Sequence, residues 1–546
     1  MLKTTTYTPV HPSSNPRTSL PNIGDRSPSN IASSSSSTSA SGGAISEPRL
    51  GSRPNSALPS SSNVSVVSTT EYESRPRAGT LPGRGGKIKR LTGEDDAQAY
   101  VNARVAIASQ PLYLKPAYGE GSIRMNPEGD VICGTVEALV EHLTIDSSLR
   151  KQQEKQYRYT FLTTFKSFIS AESLLSLLTE RYRPEQPRDL SDAQYDEWKS
   201  KKLHPMQNRV LMVLESWIVH HHLLDTDAWI ARKVVEFLSS IQTPASLALT
   251  AKHIIQTIEN MSPVKPTKPA AKRKKSKPYS KDFAKMDPGL LAEHLTLLEA
   301  QIYSKIRSNE CLLWANYQTG EQVANLTAWR RMGDKLSAWV KMSVLDCDQL
   351  GKRADVIDLW ILVAEKCKDA KNVSSMTSIV MGLSHITITK LKLSWAHVKN
   401  NARLDPLVKL ADPANSYAAY RAFYQTLDGP CVPYLGQYLA AIEHIEKHYP
   451  DIVALPDADP ARPMIDFVKR TKWAEVIAKM LKYQTKPYAA QLDDGSADPV
   501  VLAFVQDQLN SAVNVDSGYF AGRSENLQAA ETEHADIRRN LKAAGF

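Results

Sequence analysis

The sequence predicts an all-α protein of two helical domains, the C-terminal one with a protruding helical hairpin, preceded by a long disordered N-terminal region. Three observations carry that reading. From about residue 130 onward apolar residues recur at helical spacing, as in Val136, Leu139, Val140 and Leu143. The β-branched alternation that marks strands is scarce throughout. The opening stretch is instead rich in Ser, Pro and Gly, includes the run Ser33 to Ser37, and carries few large apolar side chains. It buries too little apolar surface to offset the entropy of ordering.

Taken in order, residues 1–90 form the disordered region and 91–129 a lead-in. Within the former, Arg77-Ala78-Gly79-Thr80-Leu81-Pro82 sets an arginine three before a threonine and a proline two after. Thr80 is therefore a candidate regulatory phosphosite, whose dianion would pair with an arginine cluster on a phosphopeptide-binding adaptor. Residues 130–262 hold the first helical module. Ser170 ahead of Glu172 reads as a helix start feeding Leu174, Leu175, Leu177 and Leu178. Val210, Leu211, Leu214, Trp217 and Ile218 make another apolar face. His220-His221-His222 follows it. Adjacent histidines point in different directions around a helix, so a solvated cluster is expected there and no metal site.

Residues 263–283 are a linker in which Lys272-Arg273-Lys274-Lys275 and Lys277 lie among prolines. Like charges keep such a segment extended and solvated. Attraction to an acidic membrane surface and nuclear import are the functional alternatives. Residues 284–525 are the second helical domain, with a stripe of Val356, Leu359, Trp360, Val363 and Cys367. Residues 526–546 read as a polar tail.

Composition narrows the function. The chain has 546 residues and a formal net charge of +9. Its five cysteines are widely spaced, which fits buried thiols in a reducing compartment and a cytosolic protein. No apolar run is long enough to span a bilayer, and no secretory signal opens the chain. No Gly-rich phosphate loop, nucleophile constellation or metal-ligand spacing stands out. A nucleic-acid partner would rest on the basic linker alone and is not expected. Protein recognition without a cofactor remains.

The most distinctive stretch is Pro430-Cys431-Val432-Pro433-Tyr434-Leu435-Gly436. A helix-compatible run follows, with Tyr438, Leu439 and Ile442 on one stripe, and Pro450 ends it. A second helical segment, residues 464–476, returns after an acidic, proline-broken loop. The two read as a helical hairpin. This stretch resembles the hairpin of exchange factors for Ras-type GTPases. Residues 134–144 and 159–168 resemble the N-terminal Ras exchanger motif module of that family. Residues 290–299, with His294 where a glutamine is usual, resemble the first helix of its Cdc25-homology exchange domain. Residues 391–395, then Tyr483-Gln484 and Pro487-Tyr488, follow in the family's order.

The resemblance implies specific roles. Arg331, Tyr417 and Tyr434 align with GTPase-binding positions, and Ser374 falls where many members carry an asparagine. From sequence alone a helix-surface ion pair is the alternative for Arg331, and core packing is equally consistent for Tyr434. On the hairpin, Glu443 and Lys447 take the places of an aliphatic or small residue and a glutamate that intrude on the nucleotide site. One residue earlier, Ile442 and Glu446 show the usual apolar-then-acid pair at the same spacing. All four are catalytic candidates. The implied activity is non-covalent: hairpin insertion and switch displacement on a small Ras-family GTPase, preferring its nucleotide-free form. The implied location is cytoplasmic, with recruitment to the inner face of the plasma membrane and transient surface contact. A scaffold of the same fold that has lost exchange is the alternative.

Overall fold

A computed structural model describes residues 109–545, except 120, 146–150, 262–281, 455–460, 489–496 and 514. Thr80, the Ser/Pro-rich region and the basic cluster of the linker lie outside the described residues.

The first module opens with strands β1 (Ile123–Met125) and β2 (Val131–Gly134). Helices α1 (Val136–Thr144), α2 (Lys151–Thr164), α3 (Ala171–Tyr182), α4 (His204–Val219) and α5 (Ala245–Met261) are its main helices. Sequence sets the starts: Thr135 accepts from the Ala138 N–H and Ser170 from the Ser173 N–H, each satisfying an orphan donor of the first turn. The spaced apolar residues then converge, with Leu139, Phe161, Leu174, Val210, Leu214, Trp217 and Ile254 buried in one core. The histidine run departs from expectation at one position. His221 packs half-buried against Tyr159, with ring centroids 5.6 Å apart, and burial pushes its imidazole down to about 3.

The second module is built on α6 (Pro288–Lys305), α7 (Ala324–Leu345), α8 (Leu350–Asp369) and α9 (Val373–Leu383). Helix α9 packs against α6, α7 and α8. Trp339 and Trp360 meet edge to face at 4.9 Å, and Phe283 closes the group. Gly382 allows the close approach of α9 to α7, since a Cβ there would lie 2.8 Å from the Val340 Cβ and 3.0 Å from the Ser337 carbonyl oxygen. After α10 (Ala414–Thr426) come α11 (Gly436–His448), strands β3 (Ile452–Val453) and β4 (Met464–Asp466), and α12 (Phe467–Leu481). Helices α13 (Pro499–Val513) and α14 (Ser517–Ala543) complete the chain.

Two further features depart from the sequence reading. Met464 begins a strand rather than a helix, and α12 starts at Phe467. The side chain of Asp466 accepts from the Lys469 N–H and so caps α12 as the strand ends. This strand belongs to an antiparallel sheet of order β1-β2-β4-β3, with Cys133 opposite Asp466 and Gly134 opposite Ile465. The hairpin is thereby stitched to the first module. The other departure is residues 526–546, expected as a tail. Helix α14 runs unbroken to Ala543, and Glu531 is buried. Its carboxylate pairs with Arg353 at 3.0 Å and accepts from the Leu393 and Ser394 backbone N–H groups. A buried charge so fully partnered fixes the helix in place.

Candidate functional site

Two neighbouring features make the site: an aromatic cluster and the hairpin. The Pro430–Gly436 turn is held by backbone pairing to the start of α9. The Val373 N–H donates to the Val432 carbonyl at 2.9 Å, and the Val432 N–H to the Lys371 carbonyl at 3.1 Å. The Tyr434 N–H donates to the Tyr420 hydroxyl at 3.1 Å. With its backbone pinned, the Tyr434 ring lies over Gly436, where an added Cβ would fall 2.5 Å from the Tyr434 hydroxyl oxygen. Glycine is required there by the ring itself. Tyr434 then meets Tyr417 at 5.8 Å and Trp329 at 6.0 Å between centroids. The Trp329 indole N–H donates to Ser374 Oγ at 2.9 Å. Burial raises the Tyr434 phenol above its ordinary range, and the neighbouring Tyr417 adds to the shift.

Tyr417 reaches this cluster from an unusual backbone. Asn415, Ser416 and Tyr417 have φ of 51°, 54° and 59°, a left-handed turn inside α10. Such residues cost about 1–2 kcal/mol each unless braced. The Arg421 guanidinium supplies a brace, donating to the Ser416 carbonyl at 2.7 Å and the Asn415 carbonyl at 3.2 Å.

The structure thus brings together Ser374, Tyr417 and Tyr434, three of the four expected contact residues. Ser374 is buried beneath Trp329 and offers no free hydroxyl face. Arg331, on α7, is exposed, and among the described residues it has no ion pair or hydrogen bond. The helix-surface ion pair considered for it is not formed. Trp329, which bridges Ser374 to Tyr434, was missed by sequence reasoning.

On the hairpin the four candidates separate by helix face. Ile442 is wholly buried, and its carbonyl accepts from the Trp473 indole N–H at 3.4 Å. Glu446 pairs with Lys469 of α12 at 2.9 Å. The apolar-then-acid pair therefore faces the second hairpin helix, and rotating it outward would expose Ile442 and strand Lys469. In this structure, then, Ile442 and Glu446 are spent on packing the hairpin together, while Glu443 and Lys447 lie on its other faces. Glu443 is half-buried and accepts from the Trp314 indole at 3.2 Å and the Gln318 amide at 3.1 Å. Lys447 is exposed, with no hydrogen bond or ion pair among the described residues.

The neck of the hairpin is a charged knot. Lys469, 1% exposed, also reaches Asp451 at 3.0 Å and lies over the Trp473 ring at 4.7 Å. Arg470 bonds Asp451 at 2.9 Å and Ser167 of the first module at 3.2 Å. Tyr157 of α2 stacks on Phe467 at 4.8 Å. Lys469 lies on the same stripe as Trp473 and Ile477, and a cation on an apolar stripe was the signal available in the sequence. Behind the cluster, Glu299 is fully buried near Ser375, and burial pushes its carboxyl up to about 8 against the hydrogen bonds of Ser374 and Ser375.

Comparison with known proteins bears on this arrangement. Residues 290–471 match the RasGEF domain and residues 130–237 the RasGEF N-terminal motif, together just over half of the chain. The chain belongs to the RasGEF family. RasGEF relatives include the cell division control protein 25 of Candida albicans, 28% identical over 403 residues, covering 70% of this chain and 29% of the relative. The guanine nucleotide exchange factor SDC25 of Saccharomyces cerevisiae is 25% identical over 434 residues, covering 75% of this chain and 34% of the relative. The Ras guanine nucleotide exchange factor A of Dictyostelium discoideum is 26% identical over 371 residues, covering 65% and 58% respectively. This RasGEF chain spans between 29% and 58% of the length of those relatives. Its RasGEF domain match ends inside α12, while α13 and α14 pack on the same core.

Proposed function

We propose that the chain is a guanine-nucleotide exchange factor that promotes GDP release and GTP loading on a small Ras-family GTPase. The observation that carries the reading is the pairing of a braced aromatic cluster with a hairpin whose first helix turns Lys447 outward. The factor binds the nucleotide-free GTPase better than the loaded one, and reciprocity requires it to weaken nucleotide binding equally. Each tenfold weakening takes about 1.4 kcal/mol of differential contact, so a broad interface is needed in addition to the intruding helix. Tyr434 and Tyr417 serve as aromatic anchors and Arg331 as a charged contact. The wedge depends on rigidity, which the Lys469–Arg470 knot supplies from beneath. The reaction has no covalent step, and GTP loads because the cell holds more of it.

Membrane-surface contact through the basic linker and adaptor binding at phosphorylated Thr80 are proposed as the routes of recruitment from cytoplasm to the inner face of the plasma membrane. Among the described residues no helix is long and apolar enough to cross a membrane.

The experiment is release of a fluorescent GDP analogue from a panel of purified Ras-branch GTPases, with and without this chain. Acceleration on a panel member supports exchange. Tight binding to a nucleotide-free GTPase without acceleration favours the scaffold reading, which the self-bonded state of Glu443 and Glu446 would explain.

A further inference from the structure

Beneath the turn that presents Tyr434 lies a buried polar layer. Thr296 and Glu299 of α6 meet Asn372, Ser374 and Ser375 at the start of α9, and all five are buried. The Ser375 hydroxyl receives the Asn372 amide at 2.8 Å and reaches Glu299 Oε1 at 3.5 Å. The Asn372 amide also reaches Thr296 Oγ1 at 3.2 Å, and its side-chain carbonyl accepts from the Ser375 N–H at 3.0 Å. The backbone on either side of Asn372 holds Val432, two residues before Tyr434. Ser374, the other hydroxyl beside Glu299, accepts from Trp329, a neighbour of the Tyr434 ring. Two arms therefore run from one carboxyl to one aromatic anchor.

Among the described residues no Lys, Arg or His pairs with this carboxyl, and Glu299 Oε2 is buried without a hydrogen-bond partner. The titratable group that faces it is the Cys367 thiol of α8, itself pushed up by burial, and α7, α9 and α13 bring no charged side chain to it among the described residues. The neutral acid fits this dry layer, and burial keeps it neutral up to about 8. Once ionised it is a buried charge with no counter-ion, and opening the start of α9 to water relieves it. We propose that Glu299 is a positioning residue for the GTPase-binding face: carrying a proton, it holds the Tyr434 turn through Ser375 and Asn372, and when the proton leaves the hold slackens. The role of Tyr434 as anchor rests on the exchange reading.

The test is the affinity of the full chain for a nucleotide-free Ras-branch GTPase across neutral to alkaline pH, for the wild type, Glu299→Gln and Tyr434→Ala. Titration of the GTPase itself is common to all three and cancels. One pH unit above about 8, roughly a tenth of the wild type keeps the proton, so its affinity falls about tenfold against the Glu299→Gln profile. Tyr434→Ala loses this dependence, because the arms then end on no anchor. Far-ultraviolet circular dichroism that stays constant over the range excludes unfolding as the cause. A second arm needs no GTPase: amide hydrogen exchange, compared with Glu299→Gln at each pH, shows protection of Val432 and Tyr434 falling in the wild type across that window. Parallel affinity profiles in wild type and Glu299→Gln overturn the proposal. Protection that responds while affinity does not also overturns it, since the turn then moves without consequence for the binding face. If no GTPase binds at any pH, the exchange reading fails, and the protection of the turn alone decides whether Glu299 governs it.

Discussion

Glu446→Ala and Lys447→Ala change adjacent residues of α11 and should have opposite consequences. Glu446 is one of two carboxylates holding the Lys469 ammonium, at 2.9 Å, with Asp451 the other at 3.0 Å. At an effective dielectric near 20, a unit pair at that 2.9 Å separation attracts by about 6 kcal/mol, most of it cancelled by desolvation. Stranding a buried ion outright costs about 3–5 kcal/mol. Here Asp451 remains and the Glu446 side chain is 24% exposed, so Glu446→Ala should cost about 1–2 kcal/mol. Lys447 is exposed and unpaired within the described chain, so Lys447→Ala should stay within about 0.5 kcal/mol of the wild type. It should instead slow GDP release about tenfold, equivalent to about 1.4 kcal/mol of lost contact. Urea unfolding reports the first quantity, and the fluorescent nucleotide assay reports the second. Hydrogen exchange should show α11 and α12 loosened only in Glu446→Ala. A destabilised Lys447→Ala with normal exchange, beside a stable but inactive Glu446→Ala, would refute the assignment of helix faces.

Gly436→Ala forces the Tyr434 ring off its seat, so affinity for the nucleotide-free GTPase should fall at least tenfold, or about 1.4 kcal/mol, by pull-down titration. Arg421→Ala unbraces the left-handed turn and should weaken the same binding, while a further Tyr417→Ala adds less than it does alone. Gly382→Ala sets a Cβ against backbone and a branched side chain; a loss of about 1–3 kcal/mol in urea unfolding is expected. Glu299→Gln should remove a pH dependence. The folded carboxyl titrates at about 8 against 4.5 when free, so wild-type stability is full below pH 4.5 and declines as pH rises through about 8. The variant has no proton to lose, and its advantage should grow across that window by up to about 1.4 kcal/mol per pH unit, read from urea midpoints.

Much of the fold was legible because helical periodicity spans long segments. The stripe of Val356, Leu359, Trp360 and Val363 and the cap at Ser170 needed no tertiary information to be read. The sheet was not legible, because strands of two to four residues carry too short a pattern to distinguish from a helix turn. Met464 was misassigned for that reason. At the site, spacing located the hairpin but not its rotation. Ile442 and Glu446 have the pattern of a presented pair, yet the decisive fact is Lys469, which meets Glu446 across the hairpin. Trp329 escaped notice because nothing local distinguishes a tryptophan that packs from one that also positions Ser374.

The strand pairing between β2 and β4 also bears on how the chain is made and handled. Residues 131–134 leave the ribosome some three hundred residues before residues 464–466 that complete their sheet. Throughout that interval the first module holds an unpaired strand edge, the kind of surface that recruits stray chains. Closing so distant a contact is slow, and it is late in the assembly of the protein. The reverse exposure arises in a fragment that starts at residue 284. There β4 keeps only β3 as a neighbour, and Phe467 loses the Tyr157 ring that covers it. Such a fragment should self-associate through that edge, which makes the first module a built-in chaperone for the hairpin.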